Sequence, residues 1–408
     1  MIPNIVLLNG EAVEVIDRPS PDQITISYDP TGMTYPATLD VTFPGAISSV
    51  TGSYSPTIFG TTDILIILID DWGVDSSPID NIAGAYNGLA GAGGQDLPEM
   101  PALQTLAGQS IRFEHAYVQS ACSPTRMTIM SGRLPSNHGV GAPGGPANSR
   151  DAVDIMTIAE AIDAANPSYA SGLMGKWHLG TGTGPDEQGP GPDGWDVFWG
   201  APQGNIDDYF DWRRTDVNEV TINQAGQATN ETNYATTVNT DDAINFITNQ
   251  VALGNPWLCW VTYNAPHSQN EAPTFHTPPT NGAGQVTMNG QVYTGALNNN
   301  RARYKAALWA LDSEIDRLLS HVDLNNTTVI LVGDNGTPGG RIVDENLFPG
   351  SHGKSTIYNG GLHVPFLIRP AGGTTARVIS EPIGGHDLFP TMCELMGIDP
   401  ATLGQNID

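Results

Sequence analysis

The stretch "DILIILIDDWG" opens a change in the pattern of apolar and polar positions at about residue 63. Ile64–Ile69 is the longest purely apolar run in the chain, and it ends on two aspartates and a glycine. A strand that is apolar at every position is buried on both faces, so this run predicts a parallel core strand with charge at its C-terminal end. Helical and strand patterns then alternate. "PEMPALQTLAGQ" reads as helix and "IRFEHAYV" as strand; "DIMTIAEAIDAAN" reads as helix and "SYASGLMG" as strand; "DDAINFITNQ" reads as helix and "PWLCWVTY" as strand. From about Arg301, apolar residues recur at Leu308, Leu311, Ile315, Leu318 and Val322, the spacing of one helix face. "TTVILVGDNG" and "VPFLIRP" follow as strands, and "GHDLFPTMCELMG" as a last helix.

This alternation predicts an α/β fold, a mostly parallel central sheet with helices on both faces. Such sheets bind ligands outside the carboxyl ends of their strands. Residues 1–60 differ: "DQITISYDP" and "ATLDVTF" alternate apolar and polar positions, which predicts short strands. The expected division is a β-rich N-terminal extension at 1–60 and the α/β domain at 61–408. The segment 179–194, rich in glycine and proline, reads as a loop.

The chain has 408 residues, enough for one large domain or two ordinary ones. No apolar run is long enough to span a bilayer. The N-terminus lacks a basic segment followed by a hydrophobic one, so no signal peptide is visible and the compartment stays open, cytoplasmic or exported. With 16 basic against 43 acidic residues the net charge is −27, which argues against nucleic acid as a partner and fits an attraction for divalent cations. Cys122, Cys259 and Cys393 are odd in number and widely spaced, so no disulfide framework is expected. Cys259 and Cys393 lie in apolar patterns and read as core. Cys122 alone has polar and basic neighbours, at the start of a predicted helix. Of only three lysines, Lys305 reads as a surface charge, whereas Lys176 and Lys354 each follow a glycine in a short polar-aromatic stretch.

Charge collects at the strand ends. Asp70 and Asp71 close one predicted strand; Asp334 and Asn335 close another. Three carboxylates and an amide oxygen make a hard oxygen site suited to Ca²⁺ or Mg²⁺. Lys176, His178 and His267 follow predicted strands, Lys354 lies in a loop, and Arg126 lies one helical turn after Cys122. A metal with several cations forms a site for a tetrahedral oxyanion.

These blocks carry a resemblance. "CSPTRMTIMSGR" resembles the signature of the type I, formylglycine-dependent sulfatases of the alkaline-phosphatase-like superfamily. "IDDWGVD", "GKWHLG", "YNAPH", "GDNG" and "GKSTIYNGGLHVPFLI" look like that family's other motifs, in its order, across residues 62–408. The resemblance implies an arylsulfatase-like sulfuric ester hydrolase. Cys122 would be oxidised to formylglycine by a maturation enzyme that reads Pro124 and Arg126. Asp70, Asp71, Asp334 and Asn335, with an oxygen of residue 122, would hold one metal ion, Ca²⁺ in the usual case and Mg²⁺ or Mn²⁺ as alternatives. Arg126, Lys176 and His178 would orient the formylglycine diol, and His267 and Lys354 would contact sulfate. The partners implied are a small-molecule or saccharide sulfate ester and the formylglycine-generating enzyme, with no nucleic acid and no membrane.

The sequence departs from the family pattern at Thr125, Asn359 and His363, and it is expected to lack the family's small C-terminal subdomain. Two other readings compete. Phosphonate monoester and phosphodiester hydrolases share the superfamily but commonly carry Asp-His at the second metal pair, so Asn335 favours sulfate. A catalytically silent sulfate- or glycan-binding homologue is the other.

Overall fold

The computed structural model describes residues 62–79, 97–98, 100–144, 155–180, 194–206, 208–218, 228–267, 300–343, 345, 347–404 and 407–408, with the backbone of short strands inside 7–42 and 286–293. Ten strands build the main sheet: β1 (Asp63–Ile69), β2 (Ile111–Phe113), β3 (Ala170–Lys176), β4 (Val197–Ala201), β5 (Trp212–Asn218), β6 (Ala228–Glu231), β7 (Trp257–Tyr263), β8 (Thr327–Gly333), β9 (Phe366–Arg369) and β10 (Arg377–Ile379). Their order is β6-β5-β4-β3-β7-β1-β8-β9-β2-β10. The five central strands, β4-β3-β7-β1-β8, are parallel, so their carboxyl ends lie along one edge. β5, β6 and β9 run against their neighbours.

β1 lies at the centre, with Ile66 paired to Trp260 on one side and to Ile330 on the other. Its period-two geometry sends alternate side chains to opposite faces. Ile64, Ile66 and Leu68 pack with residues of α2 (Cys122–Ser131), α3 (Ile158–Ala165) and α6 (Leu388–Leu395). Leu65, Ile67 and Ile69 pack with residues of α1 (Pro101–Ala107), α4 (Ala235–Leu253) and α5 (Asn300–Leu319). Helices therefore cover both faces, as the alternation of patterns predicts. α3 starts with a capping box in which the Thr157 N–H donates to Glu160 Oε2 at 2.6 Å.

Several local expectations are corrected. "IRFEHAYV" is two short strands rather than one. The polar Glu114–His115 step turns the chain, and Ala116–Tyr117 pairs with Ile383–Gly384 in a separate sheet. The helix from Arg301 ends at Leu319, although the last residue of its periodic pattern, Val322, is still buried. Lys305 is not a surface charge: it is 6 % exposed, because the N-terminal half of α5 is covered around Arg303 and Tyr304 as well. Cys259 and Cys393 are buried core residues, as expected. In the N-terminal extension, Gln23–Ile26 and Leu39–Thr42 form strands where "DQITISYDP" and "ATLDVTF" predict them. Leu7–Leu8, Glu11–Ala12 and Val15–Ser20 are further short strands there, while the other residues of 1–60, and 181–193 of the glycine-rich loop, lie outside the described residues. Among the described residues no helix is long and apolar enough to cross a membrane.

Candidate active site

Asp70 and Asp71 follow β1, and Asp334 and Asn335 follow its neighbour β8, so adjacent parallel strands deliver both pairs to the same edge. All four are 1 % exposed or less. Cys122 is the first residue of α2 and is equally buried. One donor atom each from Asp70, Asp71, Cys122 and Asp334 lie within 4.8 Å of one another. α2 is buried along its whole length, and Thr125 ties its start down. The Thr125 hydroxyl accepts the Gln119 N–H at 3.0 Å and donates to the Gln119 carbonyl at 3.2 Å.

The cations enter from three other segments. Lys176 ends β3, and its Nζ donates to Asp70 Oδ2 at 2.5 Å and lies 3.5 Å from Cys122 Sγ. Gly175, at φ 105°, permits this close approach, because a Cβ there would sit 2.0 Å from the Thr262 carbonyl oxygen. Lys354 Nζ donates to Asp71 Oδ1 and lies 3.1 Å from Cys122 Sγ. Arg126, four residues beyond Cys122 on α2, donates to Asp334 Oδ2 at 2.9 Å, to the Lys176 carbonyl at 2.8 Å and to Thr262 Oγ1. His267 Nε2 stands 3.8 Å from Asp71 Oδ2. His178 lies in the segment just after β3, and its backbone is left-handed, at φ 59°. The Ser123 hydroxyl donates to the His178 carbonyl at 2.7 Å, and the His178 N–H donates to the Pro202 carbonyl at 3.0 Å. Every residue singled out from the sequence thus lies in or beside one buried cluster.

Burial and charge set the protonation states. Burial raises the Asp70 carboxyl above its ordinary range, reinforced by Asp334 and opposed by Lys176. Burial would also raise Asp71, but Lys354 and His267 beside it hold it well below the usual carboxylate range. Burial works against the charge of Lys354, yet Asp71 and its neighbours hold that ammonium well above the ordinary lysine range. Burial lowers both His178 and His267, the latter to about 3, so both rings are neutral at neutral pH. Burial pushes the Cys122 thiol up to about 12, so at neutral pH it is an uncharged thiol and a poor nucleophile.

The donor set fits a divalent cation. Three carboxylates converge, and both hydrogens of the Asn335 amide are used, on Asp71 Oδ1 at 2.7 Å and on the Gly336 carbonyl at 3.0 Å. Asn335 Oδ1 is left buried with no hydrogen-bond partner. An orphaned oxygen beside three carboxylates is a ligand set for a hard ion. The charges agree. Asp70, Asp71 and Asp334 are already matched by Lys176, Lys354 and Arg126. A divalent ion would therefore leave an excess of positive charge for an anionic ligand to offset.

Several supporting residues escape sequence reasoning. Thr262 and Ser123 hold Arg126 and His178. The Tyr209 hydroxyl donates to the carbonyls of Asn264, at 2.8 Å, and of His267. Gly204 lies against the His178 ring, and a Cβ there would fall 2.0 Å from Nε2. Tyr304, Thr337 and Asp75 sit behind Asp71. Asp75 and Thr337 had one signal, their closeness in sequence to the aspartate pairs; Tyr304 looks like any core position of an amphipathic helix.

Residues 62–398 match the sequence model of the Sulfatase family, and the chain belongs to that family. Human N-acetylgalactosamine-6-sulfatase is 28 % identical over 372 residues, covering 83 % of this chain and 62 % of that protein, so the chain spans a little under two thirds of that relative's length. A solved structure from work on glycosaminoglycan metabolism by Bacteroides thetaiotaomicron superposes with a TM-score of 0.63 at 17 % identity, covering 84 % of this chain and 74 % of the other. The phosphonate monoester hydrolase of Silicibacter pomeroyi superposes with a TM-score of 0.51 at 19 % identity, covering 83 % of this chain and 74 % of its own. These two structural likenesses speak for the fold alone.

Proposed function

We propose that this chain hydrolyses sulfate monoesters at the Cys122 cluster, with Cys122 converted to formylglycine and one divalent cation, Ca²⁺ first among the candidates, held by Asp70, Asp71, Asp334 and Asn335. The observation that carries this reading is the setting of Cys122. Its sulfur lies 3.1 Å from Lys354 Nζ and 3.5 Å from both Lys176 Nζ and Asp70 Oδ1, at the centre of the charge cluster. As a thiol it is held protonated by burial and is a poor nucleophile, which favours a different functional group at this position. Formylglycine supplies one as its hydrate, a geminal diol with one oxygen to attack sulfur and a second to expel sulfate afterwards. A divalent ion held there would supply Lewis-acid polarisation of the sulfate oxygens.

The chain's own residues take the remaining roles. Arg126 and Lys176 fix the carboxylates and orient the group at position 122. Lys354 is the cation best placed for sulfate oxygens, since its side chain is 16 % exposed and so reaches the open side of the cluster. His267, neutral at rest, would hydrogen-bond the departing alkoxide oxygen through its ring N–H while solvent water supplies the proton. His178, also neutral, would take a proton from residue 122 when sulfate is expelled. The human relative's name makes a sulfated amino sugar the natural substrate to try beside a small aryl sulfate.

The test is the mass of the Cys122 peptide from a host that makes formylglycine, followed by turnover of an aryl sulfate and an aryl phosphonate in parallel. Conversion of Cys122 with preference for the sulfate supports the reading. An unmodified thiol from a competent host, or preference for the phosphonate, overturns it.

A further inference from the structure

Asp71 holds a left-handed backbone, φ 60°, which costs energy for a residue other than glycine and persists only where its surroundings impose it. Both of its peptide groups are gripped. Its N–H donates to Asp334 Oδ1 at 3.0 Å, and its carbonyl accepts the Tyr304 hydroxyl at 2.7 Å. Tyr304 comes from α5, a helix that supplies none of the residues assigned to the site above. Its hydroxyl also lies 3.0 Å from Ser76 Oγ and 3.3 Å from Thr337 Oγ1. Thr337 accepts the Gly73 N–H at 3.2 Å and donates to Asp75 Oδ1 at 2.7 Å, while Asp75 Oδ2 accepts the Val343 N–H at 2.8 Å. Tyr304, Ser76, Thr337 and Asp75 are all 2 % exposed or less. This polar knot joins the segment after β1, which carries Asp70 and Asp71, to the segment after β8, which carries Asp334 and Asn335.

We infer that Tyr304, backed by Thr337 and Asp75, is a positioning residue for the divalent-cation site: it locks the Asp71 backbone so that the two ligand pairs face each other at a set distance. The inference rests on the reading that these pairs hold a divalent ion. Tyr304 touches neither ion nor substrate in this role; it acts through the Asp71 carbonyl. Tyr304→Phe keeps the ring and its packing but removes the hydroxyl, leaving that carbonyl buried without its partner. Without that grip the backbone at Asp71 would be free to relax to negative φ, which would reorient the carboxylate.

The experiment is a Ca²⁺ titration of the full chain by calorimetry, with Tm measured in chelator and in saturating Ca²⁺. Variants are compared at equal Cys122 conversion, read by peptide mass. Tyr304→Phe is expected to weaken Ca²⁺ affinity by about 10- to 100-fold, the usual effect of removing a partner behind a metal ligand. Thr337→Val is expected to do the same, and Thr337→Ser, which keeps the hydroxyl, to restore affinity to near the wild-type value. Wild-type affinity in folded Tyr304→Phe, with a fall only in the chelator Tm, overturns the inference and leaves a structural hydroxyl. Should Tyr304→Phe not fold, the Thr337 pair decides: equal affinities in the Val and Ser variants overturn the inference. Absence of Ca²⁺ binding in the wild-type chain overturns the ion-site reading itself, and the inference with it.

Discussion

Asn335 spends both amide hydrogens, one of them on Asp71 Oδ1 at 2.7 Å, and so presents its oxygen to the carboxylate cluster with no partner of its own. The amide is thereby fixed in one orientation, and the oxygen is available to a cation at no cost in rearrangement. A divalent ion at a hundredfold excess over its dissociation constant adds about 2.7 kcal/mol to stability. For a domain of this size that is roughly a 5 °C rise in Tm between chelator and added Ca²⁺. Asn335→Ala should lose most of that rise while its Tm in chelator stays close to wild type. A rise of equal size in both proteins would mean that Asn335 is not a ligand.

Arg126 is the structural partner of Asp334, at 2.9 Å with both side chains 2 % exposed or less. Removing one partner of such a pair leaves a buried charge uncompensated, a loss of about 3–5 kcal/mol. Arg126→Ala should therefore lower the urea midpoint strongly. Arg126→Lys should lower it less, because it keeps the charge but not the fork that also reaches Thr262 and the Lys176 carbonyl. Adding Asp334→Asn to Arg126→Ala should recover part of the loss. No recovery in the double variant would show that the cost is packing rather than unpaired charge.

Gly204 and His178 give a test that separates activity from stability. An alanine methyl at 204 would fall 2.0 Å from His178 Nε2, so the imidazole must shift. The ring is the far end of a side chain, so the shift is cheap for the fold, and Tm should change by only a few degrees. A displacement of about 1 Å at a reacting group can cost around 100-fold in rate. Gly204→Ala should lower kcat on an aryl sulfate by about that factor with little change in KM. An unchanged kcat would remove His178 from the proposed proton transfer.

The sheet was legible because a short, β-branched apolar run such as Ile64–Ile69, ended by charged residues, fits a strand buried on both faces, and because six strand patterns alternate with helical ones. The candidate site was legible for a related reason: charged residues that interrupt buried strands must collect at the strand ends. Lys176 and Lys354 stood out in a chain with almost no lysine. What stayed hidden depends on contacts far apart in sequence. Thr262 meets Arg126 across 136 positions, and Tyr304 meets Asp71 across 233. Nothing local marks either residue. Lys305 was misread because its helix is covered on more sides than its apolar stripe suggests. The strand at 111–118 was misread because the Glu114–His115 turn sits within an otherwise alternating run.

His138 carries a pH dependence of its own, separate from the candidate site. It is fully buried; its Nδ1 accepts the Val140 N–H at 3.1 Å, which places its own proton on Nε2, 3.0 Å from Thr128 Oγ1. A proton on Nδ1 would set two N–H groups against each other. Burial accordingly lowers this ring to about 4 from its ordinary value of 6.5, and burial lowers His363 to about 4 as well. The sign follows from linkage. Between pH 6.5 and 4 the unfolded chain binds protons at these rings that the folded chain does not. Their neutral burial is therefore free of penalty above pH 6.5, and stability is lost as pH falls, by up to about 3 kcal/mol per ring near pH 4. His138→Asn keeps an acceptor for Val140 but cannot titrate. The variant should be less stable than wild type at pH 7.5, and the gap should narrow by about 1.4 kcal/mol for each pH unit below 6.5. Urea unfolding of both proteins at about pH 7.5, 6.5 and 5.5 measures it. A gap that stays constant across the series would mean that His138 takes up its proton equally in the folded and unfolded chain.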